Sequence, residues 1–421
     1  MNDRQKLIVT GGRRLEGELR VHGAKNSALP LLSAAVLAHG ETVLHNCPAL
    51  TDVDAACRIL THIGCKCRRS GDTVTVDAAN VFGSEIPDNL MREMRSSIVF
   101  LGAMLGRMGR CRLSFPGGCD LGSRPIDLHI SALRQMGARI GEEHGFLECD
   151  AGKGLHGAKI VLSFPSVGAT ENILLAAVTA KGETEIHNAA REPEIADLSD
   201  YLNKCGAKIR GAGESVIVVD GVERLEPCEH SVIPDRIAAG TYICAAMITH
   251  GELILTHCRP DHMNGFLQVL EAMGARIYTY GGGKMYITGK KRLNAPPTVR
   301  TMPYPGFPTD IQAPFTALCT TAEGTSVFVE TIFENRFRHV PELVRLGASI
   351  KTEGRVCVVQ GVRRLSGAKV CAAELRGGAA LVVAALAAEG TSEIGGLQYI
   401  DRGYECLEGV LRSVGADIKR V

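Results

Sequence analysis

The sequence predicts a two-lobed α/β fold built from six βαβαββ-type repeats, three in each lobe. Two sets of glycines recur along the 421 residues at intervals of roughly 70, a self-similarity typical of repeated structural units. One set lies in a signature that opens a strand, at Gly64, Gly137, Gly206, Gly274, Gly347 and Gly415. The other set lies between an apolar run and a strand, at Gly40, Gly109, Gly182, Gly251, Gly324 and Gly390.

The first repeat shows the order of elements within each unit. Residues 29–37 (LPLLSAAVL) are nearly all apolar, so we expect a helix that is buried on most sides. Residues 41–44 alternate between polar and apolar, as in a strand, and residues 53–63 return to helical spacing. Residues 73–76 alternate again and end the unit. Three such units can pack their first helices inward and their sheets outward, which gives each lobe a helical core.

The chain is expected to pass from one lobe to the other and back. The tail, residues 418–421, closes the sixth repeat, and the opening strand, residues 6–10, is expected to complete the same lobe. Pro234 marks the return, because the fourth repeat begins there after a polar stretch. The predicted domains are therefore residues 1–24 with 234–421, and residues 25–233.

Composition argues against several classes of protein. The chain has 47 Lys and Arg against 46 Asp and Glu, so it lacks the basic stripe of a nucleic-acid clamp. Its 15 cysteines are dispersed, and several lie in apolar helical runs, which indicates reduced thiols and a cytoplasmic location. Cys65 and Cys67 have no second close Cys/His pair, so we expect no structural metal. No apolar run reaches about 18 residues, so we expect no membrane span.

Polar residues mark the beginnings of the predicted helices. First helices open at Lys25-Asn26, Arg95-Ser96-Ser97, Ser166-Val167-Gly168, Asp235-Arg236, Thr309-Asp310 and Glu374-Leu375-Arg376. Second helices open near Asp52, Arg124, Glu194, Asp261, Arg336 and Arg402. Equivalent helix ends share a face of a threefold lobe, so two facing lobes would direct these N-termini at one anion-binding cleft. The acidic and hydroxyl residues could equally be ordinary N-caps. Capping does not explain the arginines, which the helix dipole disfavours at an N-terminus.

A glycine-rich loop interrupts the second repeat. Residues 115–129 (FPGGCDLGSRPIDLH) contain a proline and three glycines before Arg124, which forbid regular structure and leave Cys119 on an exposed loop. Arg124 favours the thiolate of Cys119 and Asp120 opposes it, so the thiol is suited to proton transfer near neutral pH. The alternative is an incidental surface cysteine. His129 has no adjacent acidic partner and is expected to be a structural helix residue.

The sequence resembles a known family over essentially its full length. The chain is similar to the UDP-N-acetylglucosamine 1-carboxyvinyltransferases, the enolpyruvyl transferases that open bacterial peptidoglycan synthesis. The matching segments, in order, are 23–26 (GAKN), 95–98 (RSSI), the Cys119 loop through Leu128, 166–170 (SVGAT), 307–310 (FPTD), 333–337 (FENRF) and 400–404 (IDRGY). The resemblance implies a pair of inside-out α/β barrels, a cytoplasmic enzyme of cell-wall synthesis, and thereby a role in cell shape and division.

The resemblance also implies the site residues. Lys25, Arg124 and Arg402 would hold the phosphate and carboxylate of phosphoenolpyruvate. The catalytic set would be Cys119 as general acid and Asp310 as base, with Lys25 and Arg402. The nucleotide sugar would be contacted by Asn26, Arg95, Pro125, Ile126, Asp127, Leu128, Ser166, Val167, Gly168, Asp310 and Ile332, and substrate binding would include Arg336 and Arg376. No metal or redox cofactor is required, the chemistry makes Cys119 a target of fosfomycin, and nothing in the sequence indicates the oligomeric state.

Two departures and three rival functions remain. Phe164 stands where some members carry a lysine, and Glu374 stands where the family usually has Asp. The rivals are 5-enolpyruvylshikimate-3-phosphate synthesis, which uses no loop cysteine, and a paralogue that acts on another nucleoside or sugar nucleotide. A non-catalytic repeat clamp is the third, and the absence of a basic stripe counts against it.

Overall fold

The recurrent glycines occupy turns that other residues rarely adopt. In the computed structural model, which describes residues 5–115, 126–289 and 292–421, all six closing-signature glycines have positive φ, between 91° and 107°. In the second set, Gly109, Gly182, Gly324 and Gly390 have φ between 70° and 110°. At Gly251 a Cβ atom would lie 2.0 Å from the carbonyl oxygen of Leu15. Left-handed turns and close backbone approaches both require glycine, so the repeat register has a conformational cause.

Helices and strands alternate along the described residues. The helices are α1 (Lys25–Ala34), α2 (Thr51–His62), α3 (Asp88–Met91), α4 (Phe100–Met108), α5 (Asp127–Gln135), α6 (Val167–Ala177), α7 (Pro193–Lys204), α8 (Arg236–Ile248), α9 (Asn264–Ala272), α10 (Thr309–Cys319), α11 (Val340–Arg345), α12 (Leu375–Ala387), α13 (Leu397–Ile400) and α14 (Leu407–Ser413). Short 3-10 helices span Ala35–Leu37, Arg95–Val99, Pro260–Met263 and Arg336–His339. None of the helices in the described ranges is long and apolar enough to cross a membrane.

The strands are short. They are β1 (Leu7–Thr10), β2 (Glu16–Arg20), β3 (Glu41–His45), β4 (Lys66–Ser70), β5 (Thr73–Asp77), β6 (Glu85–Ile86), β7 (Arg110–Ser114), β8 (Arg139–Glu143), β9 (Phe146–Asp150), β10 (Lys159–Val161), β11 (Glu183–His187), β12 (Lys208–Arg210), β13 (Val216–Asp220), β14 (Glu229–Ser231), β15 (Glu252–Thr256), β16 (Ala275–Tyr280), β17 (Lys284–Gly289), β18 (Val299–Arg300), β19 (Thr325–Val329), β20 (Ser349–Glu353), β21 (Val356–Gln360), β22 (Leu365–Ser366), β23 (Lys369–Cys371), β24 (Ala388–Glu389), β25 (Thr391–Gly395) and β26 (Asp417–Arg420).

The described residues divide into two compact units. The inserted unit comprises residues 23–115 and 126–233, and the split unit comprises residues 5–22, 234–289 and 292–421. Sheets of the inserted unit have the strand orders β14-β3-β5-β4, β6-β7-β9-β8 and β10-β11-β13-β12. Four-stranded sheets of the split unit have the orders β16-β17-β15-β2, β18-β19-β21-β20 and β23-β25-β1-β26. Two sheets show the pattern within one repeat. β10 and β18 each pair in parallel with the strand that follows the next helix, β11 and β19, and an antiparallel strand, β13 or β21, then extends the sheet.

Three sheets take a strand that is distant in sequence. β14 pairs in parallel with β3 and completes the sheet of the first repeat. β2, which precedes that repeat, pairs instead with β15 of the fourth repeat. β1 lies between β25 and β26, antiparallel to both, and fills the sheet of the sixth repeat.

Each unit has its own apolar core around its first helices. In the split unit, α8, α10 and α12 contact one another, and in the inserted unit α4 contacts both α1 and α6. These helices are buried along most of their length, as the apolar run at residues 29–37 predicted. Helix α1 begins at Lys25, four residues before that run, and continues into the 3-10 turn Ala35–Leu37.

Candidate active site

Lys25 begins α1 and forms a buried ion pair. Its Nζ atom lies 2.6 Å from Oδ2 of Asp52, and the two side chains are 10% and 2% exposed. A lone ammonium group at a helix N-terminus opposes the helix dipole, and burial adds a desolvation cost, so the carboxylate is needed to stabilise it. Helix α2 is capped at Leu50 without a side-chain bond, so Asp52 is not the N-cap that the alternative interpretation assigned to it. The carboxylate serves Lys25 instead.

A buried network behind Lys25 fixes the first turn of α1. Ser27 donates to Oδ2 of Asp197 on α7, and Asp197 also accepts from the backbone N–H of Ile233 at 3.4 Å. Nε2 of His230 lies 2.9 Å from the other oxygen of Asp197. One carboxylate therefore joins α1, α7 and the segment after β14. The first turn of α1 carries Lys25 and the half-buried Asn26, and this network restricts its movement.

The segments predicted to bind the nucleotide sugar begin helices of the inserted unit. Ser166 is the N-cap of α6, where its Oγ accepts from the N–H of Ala169 at 3.3 Å. The half-buried Val167 and Gly168 form the first turn of that helix. At the start of α5, Ile126 and Leu128 pack against the apolar core, whereas Asp127 is exposed. Phe164 is 41% exposed, and its carbonyl accepts from the N–H of Ser166.

His129 and Asn172 link these two helices. Nδ2 of Asn172 lies 2.7 Å from Nδ1 of His129, and because an amide nitrogen only donates, Nδ1 must accept. Burial lowers the pKa of His129 to about 4, so the ring is neutral at pH 7. The expected structural role of His129 therefore rests on an amide partner, not an acidic one. A Cβ atom at Gly168 would lie 3.2 Å from Cε1 of this ring.

The inserted unit also contains a buried acid that the sequence did not single out. Glu171 on α6 is 8% exposed, and burial together with the nearby Glu194 raises its pKa well above the usual range. Glu194, on the first turn of α7, is 2% exposed. Burial and a neighbouring carboxyl group both disfavour the charged form of Glu171.

In the split unit, Asp310 lies between two buried arginines. Nη2 of Arg336 donates to Oδ1 at 3.2 Å, and Nη2 of Arg376 donates to Oδ2 at 3.5 Å. The carboxylate is 28% exposed, whereas the two guanidinium side chains are 1% and 4% exposed. Helix α10 is capped at Pro308 without a side-chain bond, so Asp310 is not an N-cap. Two neighbouring cations favour the ionised carboxylate, which is the state that a general base requires.

Arg376 lies over the ring of Tyr404 and reaches Asp310 from the first turn of α12. Its guanidinium carbon is 5.4 Å from the ring centroid. Burial alone would lower the pKa of Arg376, but Tyr404 and Asp310 outweigh it and raise that pKa above its ordinary value. Nη1 of Arg376 has no hydrogen-bond partner among the described residues. A buried cation with an unused donor is suited to an anionic or carbonyl ligand.

Glu374 caps the helix that carries Arg376. Its Oε2 accepts from the backbone N–H of Arg376 at 2.8 Å, and its other oxygen accepts from Gly377. Nη1 of Arg336 lies 3.9 Å from Oε2. The longer side chain at this position therefore retains a capping geometry and lies beside both the helix terminus and Arg336.

Arg402 and Ile332 lie on irregular segments of the split unit. Arg402 lies in the turn between α13 and α14, so the expectation that it opens a second helix of the sixth repeat is wrong. The helix is split there, and the neighbouring Asp401 binds Arg420 at 2.6 and 2.9 Å. The N–H of Ile332 donates to Oε1 of Glu330 at 2.7 Å, and Glu330 also accepts from Thr309 Oγ1 at 3.0 Å. Glu330 thereby ties the loop after β19 to the start of α10.

Several predicted residues fall outside what the structure describes. Cys119, Arg124 and Pro125 lie in the gap between residues 115 and 126. For Arg95 the backbone belongs to the 3-10 helix Arg95–Val99, and its side chain is likewise outside the described atoms.

Comparison with known proteins identifies the family. The family model for EPSP synthase (3-phosphoshikimate 1-carboxyvinyltransferase) matches residues 9–411. UDP-N-acetylglucosamine 1-carboxyvinyltransferase 2 of Caldanaerobacter subterraneus subsp. tengcongensis is 53% identical over 416 residues, 99% of each chain. The chain belongs to the carboxyvinyltransferase family.

Two further comparisons extend over nearly the whole chain. UDP-N-acetylglucosamine 1-carboxyvinyltransferase 1 of Symbiobacterium thermophilum is 50% identical over 422 residues, covering 99% of this chain and 95% of the relative. The solved structure of the enolpyruvyl transferase NikO from Streptomyces tendae matches with a TM-score of 0.89 at 26% identity, and the match covers 99% of both chains. The family and the fold class predicted from the sequence are confirmed.

Three buried polar residues of the inserted unit were not predicted from the sequence. Glu171 and Asn172 were not recognised, although a polar pair inside the apolar run of α6 is a visible signal. The network around Asp197 was not predicted, because in the sequence Asp197 looks like any polar residue of the amphipathic helix α7. Their partners are distant in sequence, so only the fold brings them together.

Proposed function

We propose that this protein transfers the enolpyruvyl group of phosphoenolpyruvate to the 3′-hydroxyl of UDP-N-acetylglucosamine and releases phosphate. This is the first committed step of peptidoglycan synthesis. The observation that carries the proposal is the 45–53% identity, over 99% of the chain, to relatives named for this transfer. NikO, whose name gives only enolpyruvyl transfer, is 26% identical, well below the identity to the relatives named for UDP-N-acetylglucosamine.

In the proposed mechanism, Asp310 and Cys119 move the protons. Asp310 takes the proton of the 3′-hydroxyl while the oxygen attacks C2 of phosphoenolpyruvate, and Cys119 gives a proton to C3. The resulting tetrahedral intermediate then returns a proton from C3 to the Cys119 thiolate and expels phosphate, which leaves the enol ether. Asp310 suits its role because Arg336 and Arg376 hold it ionised and fix both oxygens.

Cationic groups would stabilise the leaving phosphate. We assign the phosphate and carboxylate of phosphoenolpyruvate to Lys25, Arg124 and Arg402. Lys25 supports this role because its ammonium group is held in a fixed position by Asp52, 2.6 Å away. A preorganised cation stabilises developing charge without reorganisation at the moment of reaction.

The nucleotide sugar is assigned to helix starts of the inserted unit and to loops of the split unit. Backbone N–H groups at a helix N-terminus bind phosphates, and α6 begins with a capped, glycine-containing turn that is half-buried. The contacting set is Asn26, Arg95, Pro125, Ile126, Asp127, Leu128, Ser166, Val167, Gly168, Asp310, Ile332, Arg336 and Arg376. With these assignments the enzyme acts in the cytoplasm, supports cell shape and division, and is alkylated at Cys119 by fosfomycin.

The deciding experiment compares two acceptors. Phosphate release from phosphoenolpyruvate is measured with UDP-N-acetylglucosamine and, separately, with shikimate 3-phosphate. We expect release only with the nucleotide sugar, together with a product heavier by one enolpyruvyl group in the mass spectrum. Release with shikimate 3-phosphate alone would assign the chain to the sister reaction, and release with neither acceptor would remove the proposed function.

A further inference from the structure

Asn172 is a buried amide whose hydrogen bonds all leave its own helix. It lies on α6 and has no exposed surface. Its Oδ1 accepts from the N–H of Gly102 at 2.6 Å, and its Nδ2 donates to the carbonyl of Ile98 at 3.0 Å and to Nδ1 of His129 at 2.7 Å. Both donor hydrogens and an acceptor site are therefore used, and the amide orientation is fixed by its partners.

Three threonines of the inner helices each bond to a carbonyl of their own helix. The hydroxyl of Thr170 bonds to the carbonyl of Ser166, that of Thr241 to Ile237, and that of Thr316 to Gln312, each one turn earlier on the same helix. Thr170 also accepts from the N–H of Ala190 at 3.1 Å, and Thr241 also bonds to the hydroxyl of Tyr404 at 2.8 Å, but each threonine keeps a partner on its own helix. Asn172 makes no such side-chain bond within α6, and its amide joins three segments of chain.

The three segments are those proposed to bind the nucleotide sugar. Ile98 belongs to the 3-10 helix that begins at Arg95, and Gly102 lies on the following α4. His129 comes directly after the 126–128 segment, on the first turn of α5. Asn172 itself lies one turn into the helix that Ser166 caps, and the His129 ring packs 3.2 Å from where a Cβ of Gly168 would be. A change at Asn172 would therefore reach all three.

We propose that Asn172 is a positioning residue for the nucleotide sugar, which holds the 95–98, 126–128 and 166–168 segments in one register. The inference rests on the proposed function, because that proposal assigns these segments to the sugar nucleotide. The amide makes no contact with the ligand. It acts through the carbonyl of Ile98, through the ring of His129 and through its own helix.

The test separates binding of the two substrates. In Asn172→Ala, we expect the dissociation constant of UDP-N-acetylglucosamine, measured by calorimetry, to rise about tenfold or more, because small misplacements of binding groups are costly. The KM for phosphoenolpyruvate should rise much less, since Lys25 and Arg402 lie outside the three segments and only Arg124 lies close to one of them. The matched control is Ile186→Ala, a fully buried truncation on β11 of the same unit, which lowers stability without removing a side-chain hydrogen bond.

Each outcome bears on the inference. If Asn172→Ala binds the nucleotide sugar as tightly as Ile186→Ala, the positioning role is wrong, although the proposed function stands. If the wild-type protein gives no heat of binding with UDP-N-acetylglucosamine, both fail. Should Asn172→Ala not fold, Asn172→Asp replaces it, because Asp has the same shape and keeps the acceptor for Gly102. It also sets an oxygen against the carbonyl of Ile98, so the same rise in the dissociation constant is expected, and unchanged binding overturns the proposal.

Discussion

Asp310 lies between two buried guanidinium groups, and that environment determines how a substitution will act. In Asp310→Asn the shape is kept and one oxygen can still accept from Arg336 or Arg376, but the negative charge is lost. We expect turnover to fall by a factor on the order of 10² to 10⁴, because an amide cannot take the hydroxyl proton. The melting temperature should fall as well, because two arginines lose their counter-ion. Affinity for the nucleotide sugar should change much less.

The control for this variant is Glu408→Gln. Glu408 is 10% exposed and binds Arg420 at 2.7 Å in the same unit, so its loss also uncouples a carboxylate from an arginine. If both variants lose stability but only Asp310→Asn loses turnover, the effect is chemical. Near-normal turnover in Asp310→Asn would leave the base unidentified.

His129 makes the stability of the protein sensitive to acid. Its pKa is lowered by burial to about 4, against about 6.5 in an unfolded chain, so between these values only the unfolded state binds the proton. The contribution of the neutral ring to the free energy of unfolding is thus fully present above about pH 6.5 and is lost as the pH falls toward 4. At pH 5 the loss is about 2 kcal/mol. In His129→Asn this part of the loss should disappear, which urea unfolding of both proteins at pH 7.5 and pH 5.0 will measure. An equal loss in both proteins would contradict it.

At the scale of the element, the positions of helix N-termini were predicted better than the contacts that their side chains make. Polar residues near the beginnings of α1, α6, α8, α10 and α12 were visible in the sequence, and Ser166, Asp235 and Glu374 do cap their helices. Asp52 and Asp310 look the same in sequence, yet each binds a basic side chain instead. Capping is a local interaction that a pattern can indicate. An ion pair across helices depends on which helices the fold brings together.

The broken second helix of the sixth repeat was also not predicted from the sequence. The second helix of the sixth repeat was expected to open near Arg402, but Arg402 lies in the turn between α13 and α14. Gly403 and the left-handed Cys406 lie in the break between α13 and α14. The repeat pattern indicated the approximate place of this element but not the break in it, because a repeat of roughly 70 residues does not resolve a turn of a few residues.

At the scale of the whole molecule, exchanged strands make the sequence repeats differ from the structural units. β14 follows the third repeat in sequence but completes the sheet of the first, beside β3. The segment after it also carries bonds that close the unit. The N–H of Ala24 donates to the carbonyl of Ile233 at 2.7 Å, and Asn46 donates to that of Val232 at 2.9 Å. Every strand of the three sheets in the inserted unit therefore lies between residues 23 and 233.

This closure predicts which fragment folds. A fragment of residues 23–233 contains its own apolar core and all strands of its sheets, so we expect cooperative urea unfolding and a native-like circular dichroism spectrum. The matched fragment, residues 23–228, is only five residues shorter but lacks β14 and the partners of Ala24, Asn46 and Asp197. It exposes an unpaired edge at β3 and leaves buried polar groups unsatisfied, which should cost at least about 3 kcal/mol and promote aggregation. Equal unfolding midpoints for the two fragments would mean that β14 is dispensable and that the first sheet is closed by β3, β4 and β5 alone.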